Sequence, residues 1–141
     1  MEVFFTDSPE DTEALGASIA KRLEPETILA LTGELGSGKT HFVKGLAKGL
    51  GIEGYVKSPS FMLLHIYEGG GIPFFHIDLY RIEDKKGFEH TGLEEYVYGN
   101  GISAVEWAEK WPEVFEDADV IVSFFYEGES RRRIEVEYGQ K

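Results

Sequence analysis

Cysteine is absent from this 141-residue chain, which excludes disulfides and thiolate metal sites. Long apolar runs are absent too, and none approaches the roughly 18 residues that a membrane-spanning helix needs. Basic residues are scarce: 14 Lys and Arg stand against 26 Asp and Glu, for a formal net charge of −12. The pI is near 4.7. Phosphate contacts to nucleic acid need clustered Lys or Arg, so this chain is a poor unaided nucleic-acid binder. The start, Met1 to Asp7, has neither a basic region nor an apolar core, so it does not read as a signal peptide. None of His41, His65, His76 and His90 sits at metal-ligand spacing with another, which argues against zinc. The chain reads as soluble and cytoplasmic, with no membrane partner.

Hydrophobic residues make up 42%, enough for a proper core, and the length suits one domain over residues 1–141. One stretch dominates the reading. Gly33-Glu34-Leu35-Gly36-Ser37-Gly38-Lys39-Thr40 fits G-x-x-x-x-G-K-[ST], the phosphate-binding P-loop pattern. Its surroundings fit as well. Thr27 to Thr32 is a short apolar, β-branched run, as a buried strand is. From Thr40 to Leu50, Phe42, Val43, Leu46, Ala47 and Leu50 recur at helical spacing, and Gly51 can cap the end. In such a loop, successive N–H groups turn inward as an anion nest at a helix N-terminus. Lys39 then reaches the β- and γ-phosphates, and the Thr40 hydroxyl ligates Mg²⁺. The bland alternative is a Gly-rich turn with a solvated lysine; the flanking strand and helix speak against it.

The remaining elements follow in order. Val3 to Phe5 reads as an edge strand. Ser8-Pro9-Glu10-Asp11 is a helix start, with Leu15, Ile19, Ala20 and Leu23 as its apolar face and Pro25 as its end. Phe61 to Tyr67 and Phe74 to Asp78 read as a hairpin about Gly69-Gly70-Gly71. Short helices are expected over 85–89 and 93–98, a buried strand over 102–106, and a short turn or helix from Trp111 to Phe115. A final alternating pair spans 120–126 and 132–138. This pattern predicts an α/β fold: a P-loop NTPase-like, mixed and partly parallel sheet flanked by helices, with antiparallel edge hairpins.

Two acids close strands. Asp78 ends Phe74-Phe75-His76-Ile77, and Glu106 ends Ile102-Ser103-Ala104-Val105. In open α/β sheets the site lies beyond the carboxyl ends of the strands. Asp78 is therefore placed in the Mg²⁺ shell, against a strand-end cap as the alternative. Glu106 either ligates Mg²⁺ directly or orients the attacking water. Ser58-Pro59-Ser60 can sense a γ-phosphate as switch loops do, or be an ordinary turn. Trp107 adjoins Glu106 and can touch the nucleotide or belong to the core. Arg131-Arg132-Arg133 is the one basic cluster, at a hairpin edge.

Taken together, Gly33 to Thr40, Lys57 to Phe61, His76-Ile77-Asp78-Leu79-Tyr80-Arg81, Gly92 to Tyr96 and Val105-Glu106-Trp107 resemble the bacterial TsaE (YjeE) family. That family is the small P-loop ATPase of tRNA threonylcarbamoyladenosine biosynthesis. The resemblance runs from about Thr12 to the last hairpin. It implies a Mg²⁺-dependent ATPase in which Lys39, Asp78 and Glu106 are catalytic and Thr40, Asp78 and Glu106 hold the metal. Nucleotide contacts fall to the P-loop from Gly33 through Glu34, Leu35, Gly36, Ser37 and Gly38 to Lys39 and Thr40. Thr12, His41, Ser58, Ser60, Trp107 and Arg132 complete that set. Ser60 and His41 stand where the family usually has threonine, and Gly87 where it is often acidic. The resemblance further implies an accessory role beside TsaD and TsaB, whose complex modifies adenosine 37 of tRNAs reading codons that begin with A. The chain itself would be a monomer or weakly self-associating, meeting tRNA only through the complex.

Rival readings are a GTPase, a small-molecule kinase and a nucleotide-gated binding module. The only asparagine, Asn100, precedes Gly101, so the guanine-reading Asn-Lys-x-Asp motif is absent. A kinase needs an acceptor pocket and a lid; Arg131 to Arg133 can be imagined as lid arginines, but the chain is short for that and no acceptor-binding motif is visible. No cis arginine stands out to stabilise charge on a γ-phosphate, so weak turnover alone is expected.

Overall fold

The computed structural model describes residues 1–34, 36–52, 64–68, 70–82 and 92–139. Seven strands form one sheet: β1 (Glu2–Thr6), β2 (Ile28–Gly33), β3 (Leu64–Tyr67), β4 (Phe74–Asp78), β5 (Ile102–Glu106), β6 (Val120–Tyr126) and β7 (Arg132–Tyr138). Their order is β1-β7-β6-β2-β5-β4-β3. The middle four, β6-β2-β5-β4, run parallel. The flanks, β1-β7-β6 on one side and β3-β4 on the other, are antiparallel. This is the mixed, hairpin-edged sheet that the sequence predicts.

Alternation along β2 divides the core. Leu29 and Leu31 face one layer with α1 (Pro9–Ala20) and α2 (Lys39–Gly49). Ile28 and Ala30 face the opposite layer, which contains α3 (Leu93–Val97), a single 3-10 turn (Ala108–Lys110) and α4 (Pro112–Asp117). β2 is buried on both sides, as a near-continuous apolar run should be.

The helix ends have local causes. Ser8 caps α1, its hydroxyl accepting from the Asp11 N–H at 3.0 Å, with Pro9 in the first turn. The helix stops at Ala20, short of Pro25, because the N–H groups of Arg22 and Leu23 tighten onto the carbonyls of Ile19 and Ala20. Leu23 still packs against the core. Past α2, Gly51 takes φ 81°, the left-handed turn that ends many helices. α1 and α2 touch backbone to backbone. A Cβ on Gly45 would lie 1.9 Å from the Glu13 carbonyl oxygen, so only glycine allows this approach.

The strand expected from Phe61 begins, within the described residues, at Leu64. The helix expected over 85–89 lies outside the described residues. Among the described residues, no helix is long and apolar enough to cross a membrane.

Candidate functional site

β2 delivers the chain to the loop from the centre of the sheet. The loop turns at Glu34, whose carbonyl accepts from the Ser37 N–H at 3.1 Å, and enters α2 through Gly38. Gly38 takes φ 108° and provides no side-chain cap. A side chain at that φ would be strained. The first N–H groups of α2 have no intrahelical acceptor, and Ser37 Oγ is buried without a partner. Uncapped N–H donors, the positive end of the helix dipole and a lysine together make an anion cradle.

Lys39 is 96% buried by its 4% exposure. Its ammonium donates to the Gly33 carbonyl and sits 3.8 Å from the centre of the Trp107 ring, a cation–π contact. Burial pushes its pKa down, opposed by the charges of Glu106, Glu109 and Asp78. Trp107 is half-buried and adopts φ 62°, a conformation that costs a non-glycine residue about 1–3 kcal/mol. Tyr80 packs on it at 5.3 Å. Lys110 donates to the carbonyls of Tyr80 (2.6 Å) and Ile82 (3.0 Å), tying the segment after β4 to this wall.

The two acids stand side by side. Asp78 and Glu106 are register partners at the ends of β4 and β5. Leu79 N–H donates to the Glu106 carbonyl at 3.1 Å, and Trp107 N–H to that of Leu31 at 3.1 Å, so the strand ends are stitched together. Asp78 Oδ1 accepts from the Tyr80 N–H at 3.0 Å. Glu106 is 3% exposed, and its Oε2 is hydrogen-bonded to His76 Nε2. His65 stacks on His76 and is pushed below the usual histidine range, first by burial and then by His76.

One cleft gathers Gly36, Gly38, Lys39, Thr40, His41, Asp78, Tyr80, Glu106 and Trp107. A second opens on the other side of the loop, lined by Ser8, Pro9, Thr12, Gly36, Gly38, His41, Glu129, Ser130 and Arg132. Thus Lys39, Thr40, Asp78, Glu106 and Trp107 come together, while Thr12 and Arg132 border the neighbouring cleft and His41 both. Thr12 is buried, its hydroxyl bonded to that of Thr6 at 2.8 Å. Arg132 donates to its own hairpin turn and lies 4.3 Å from the Tyr126 ring centre. Arg131 and Arg133 pair with Asp7 and with Glu127 and Glu135. Leu35, Ser58 and Ser60 lie outside the described residues.

Among the described residues, no three His, Cys, Asp or Glu side chains converge as a metal cage. The Thr40 hydroxyl with two carboxylates in one cleft is instead an open, oxygen-only donor set. That suits Mg²⁺, which keeps water and phosphate ligands of its own. The sequence gives Lys110 no mark, and it gives His76 and Tyr80 no separate role: both stand there only within the segment His76 to Arg81 that resembles the family.

These elements define a protein of the P-loop NTPase-like α/β class. The family model described as threonylcarbamoyl adenosine biosynthesis protein TsaE matches residues 6–134, and the chain belongs to the TsaE family. It is 46% identical over 103 residues to the tRNA threonylcarbamoyladenosine biosynthesis protein TsaE of Bacillus subtilis, covering 73% of this chain and 64% of that relative. The Treponema pallidum protein of the same name is 37% identical over 129 residues, covering 92% and 95%. The crystal structure of YdiB from Bacillus subtilis superposes with a TM-score of 0.75 at 32% identity, covering 98% of this chain and 86% of the other.

Proposed function

We propose that this chain binds and hydrolyses ATP with Mg²⁺ as an accessory protein of tRNA threonylcarbamoyladenosine biosynthesis. One observation supports the chemistry above the others. The uncapped start of α2, the Lys39 ammonium, the Thr40 hydroxyl and the paired acids Asp78 and Glu106 line one cleft. The loop N–H groups and Lys39 bind the phosphate chain. Thr40 and Asp78 hold the metal. Glu106 either completes that shell or orients the attacking water. Bound there, Mg²⁺ supplies positive charge against the phosphate oxygens.

The role in tRNA modification rests on the family, whose relatives carry that name. The reading extends to TsaD and TsaB as partners, and to contact with tRNA only through them, since a chain of net charge −12 should not hold tRNA tightly by itself. Arg132, the arginine bordering the loop, is occupied with its own turn. An arginine supplied by a partner can be worth about 10³–10⁵ in rate. Turnover is therefore expected to be slow alone and fast in the assembly.

The test is calorimetric ATP titration of wild type and Lys39→Ala, with turnover measured alone, with tRNA, and with TsaD and TsaB. Loss of the ammonium removes charge-assisted bonds worth about 1.5–3 kcal/mol. Unchanged affinity in Lys39→Ala, full-speed turnover alone, or tight tRNA binding without partners overturns the reading.

A further inference from the structure

A buried carboxylate needs hydrogen bonds to offset its desolvation, and Glu106 is buried at the end of a strand whose five residues are all buried. Its partner comes from the neighbouring strand. His76, 7% exposed, lies opposite Ala104 in the β4–β5 register, two positions before the Asp78–Glu106 pair. Its Nε2 meets Glu106 Oε2. With Glu106 as a carboxylate, which only accepts, Nε2 is the donor of this hydrogen bond. His65 stacks on a face of the ring, at 5.5 Å between centroids and 24° between planes. Among the described residues, Glu106 Oε1 accepts no hydrogen bond, and Glu106 lines the phosphate-binding cleft.

We propose that His76 is a positioning residue for Glu106: its Nε2–H occupies Oε2 and fixes the carboxylate, so that Oε1 alone serves the metal or the attacking water. The proposal rests on the nucleotide reading above. It differs from a purely structural role in what it moves. A histidine that merely fills the core would affect stability; one that aims Glu106 affects the chemical step.

The experiment compares wild type, His76→Leu, which removes the donor, and His76→Gln, whose amide can restore an N–H at similar reach. Measured are kcat, KM for ATP, the Mg²⁺ concentration for half-maximal turnover, and ATP binding through Trp107 emission. Outer partners of metal-site ligands typically matter by about 10–100-fold. A fall of that size is expected in kcat for His76→Leu, with ATP affinity held within about twofold, a higher Mg²⁺ requirement, and recovery in His76→Gln. Independently of turnover, the wild type should show a slowly exchanging imidazole N–H resonance that Glu106→Gln displaces. That signal decides the matter if His76→Leu does not fold. A fully active His76→Leu, a loss that His76→Gln does not recover, or a resonance indifferent to Glu106→Gln overturns the positioning role. Failure of the nucleotide reading looks different: wild type that neither binds nor hydrolyses ATP.

Discussion

Asp78 and Glu106 face each other in register as the last residues of two adjacent parallel strands. Each has one oxygen engaged by the protein, Asp78 by the Tyr80 N–H and Glu106 by His76. The Lys39 ammonium lies within the field of both acids, and on the proposed reading a divalent ion would add positive charge there.

Glu106→Gln and Asp78→Asn should therefore slow hydrolysis more than they weaken nucleotide retention. Each keeps shape and removes charge where the proposed reading puts metal and water. Single-turnover rates and binding measured side by side should separate, with rate falling by tenfold or more, about 1.4 kcal/mol in the barrier. Wild-type rates in both variants would exclude the acids from the chemistry.

Trp107 should report on ligand binding, because the Lys39 ammonium lies against its ring. A phosphate that draws the ammonium away changes the field at the indole. Trp111 is the other tryptophan and is buried, so a Trp111→Phe background isolates the signal. Emission that ignores saturating ATP and ADP would separate ring from ligand.

Gly45→Ala should destabilise the fold rather than the chemistry. The added methyl would meet the Glu13 carbonyl oxygen and its carbon at 1.9 and 2.8 Å. Backbone on both sides cannot yield cheaply, so a loss of about 1–3 kcal/mol or more is expected, read as a lower urea midpoint. A neutral substitution would show that α1 and α2 can part.

Tyr98 links stability to alkaline pH. Tyr98 is 49% exposed; partial desolvation, then its hydrogen bond to Asp117 (2.7 Å), raises the phenol above its usual 10.0, an effect that solvent screening reduces. The folded state thus favours the protonated phenol. That contribution is fully present below the unfolded pKa near 10.0 and is lost as pH rises through the higher folded value. Tyr98→Phe should flatten the fall in stability above about pH 10, measured by denaturation across pH. An unchanged slope would mean that other groups carry it.

The sequence made some of this legible for identifiable reasons. The loop from Gly33 to Thr40 has a local pattern tied to a local backbone shape, and Asp78 and Glu106 each close an apolar run. Both signals survive without knowing which strands pair. The His76–Glu106 contact needs the β4–β5 register, which is a tertiary fact. Lys110 holding the carbonyls of Tyr80 and Ile82 leaves no mark, since backbone acceptors are present at every position. The α1–α2 contact was written in Gly16, Gly45 and Gly49, but a glycine inside a helical pattern reads first as a weak point. Pro25 misplaced the end of α1 because the turn at Arg22 and Leu23 closes earlier.

The bond from Lys39 to the Gly33 carbonyl occupies one of the ammonium's three N–H donors. Two are left for an incoming acceptor, so the lysine is held in place without being used up. An anionic oxygen adds Coulomb attraction that a neutral one lacks. On the proposed reading, the carbonyl is a rest that keeps the charge aimed before a phosphate arrives.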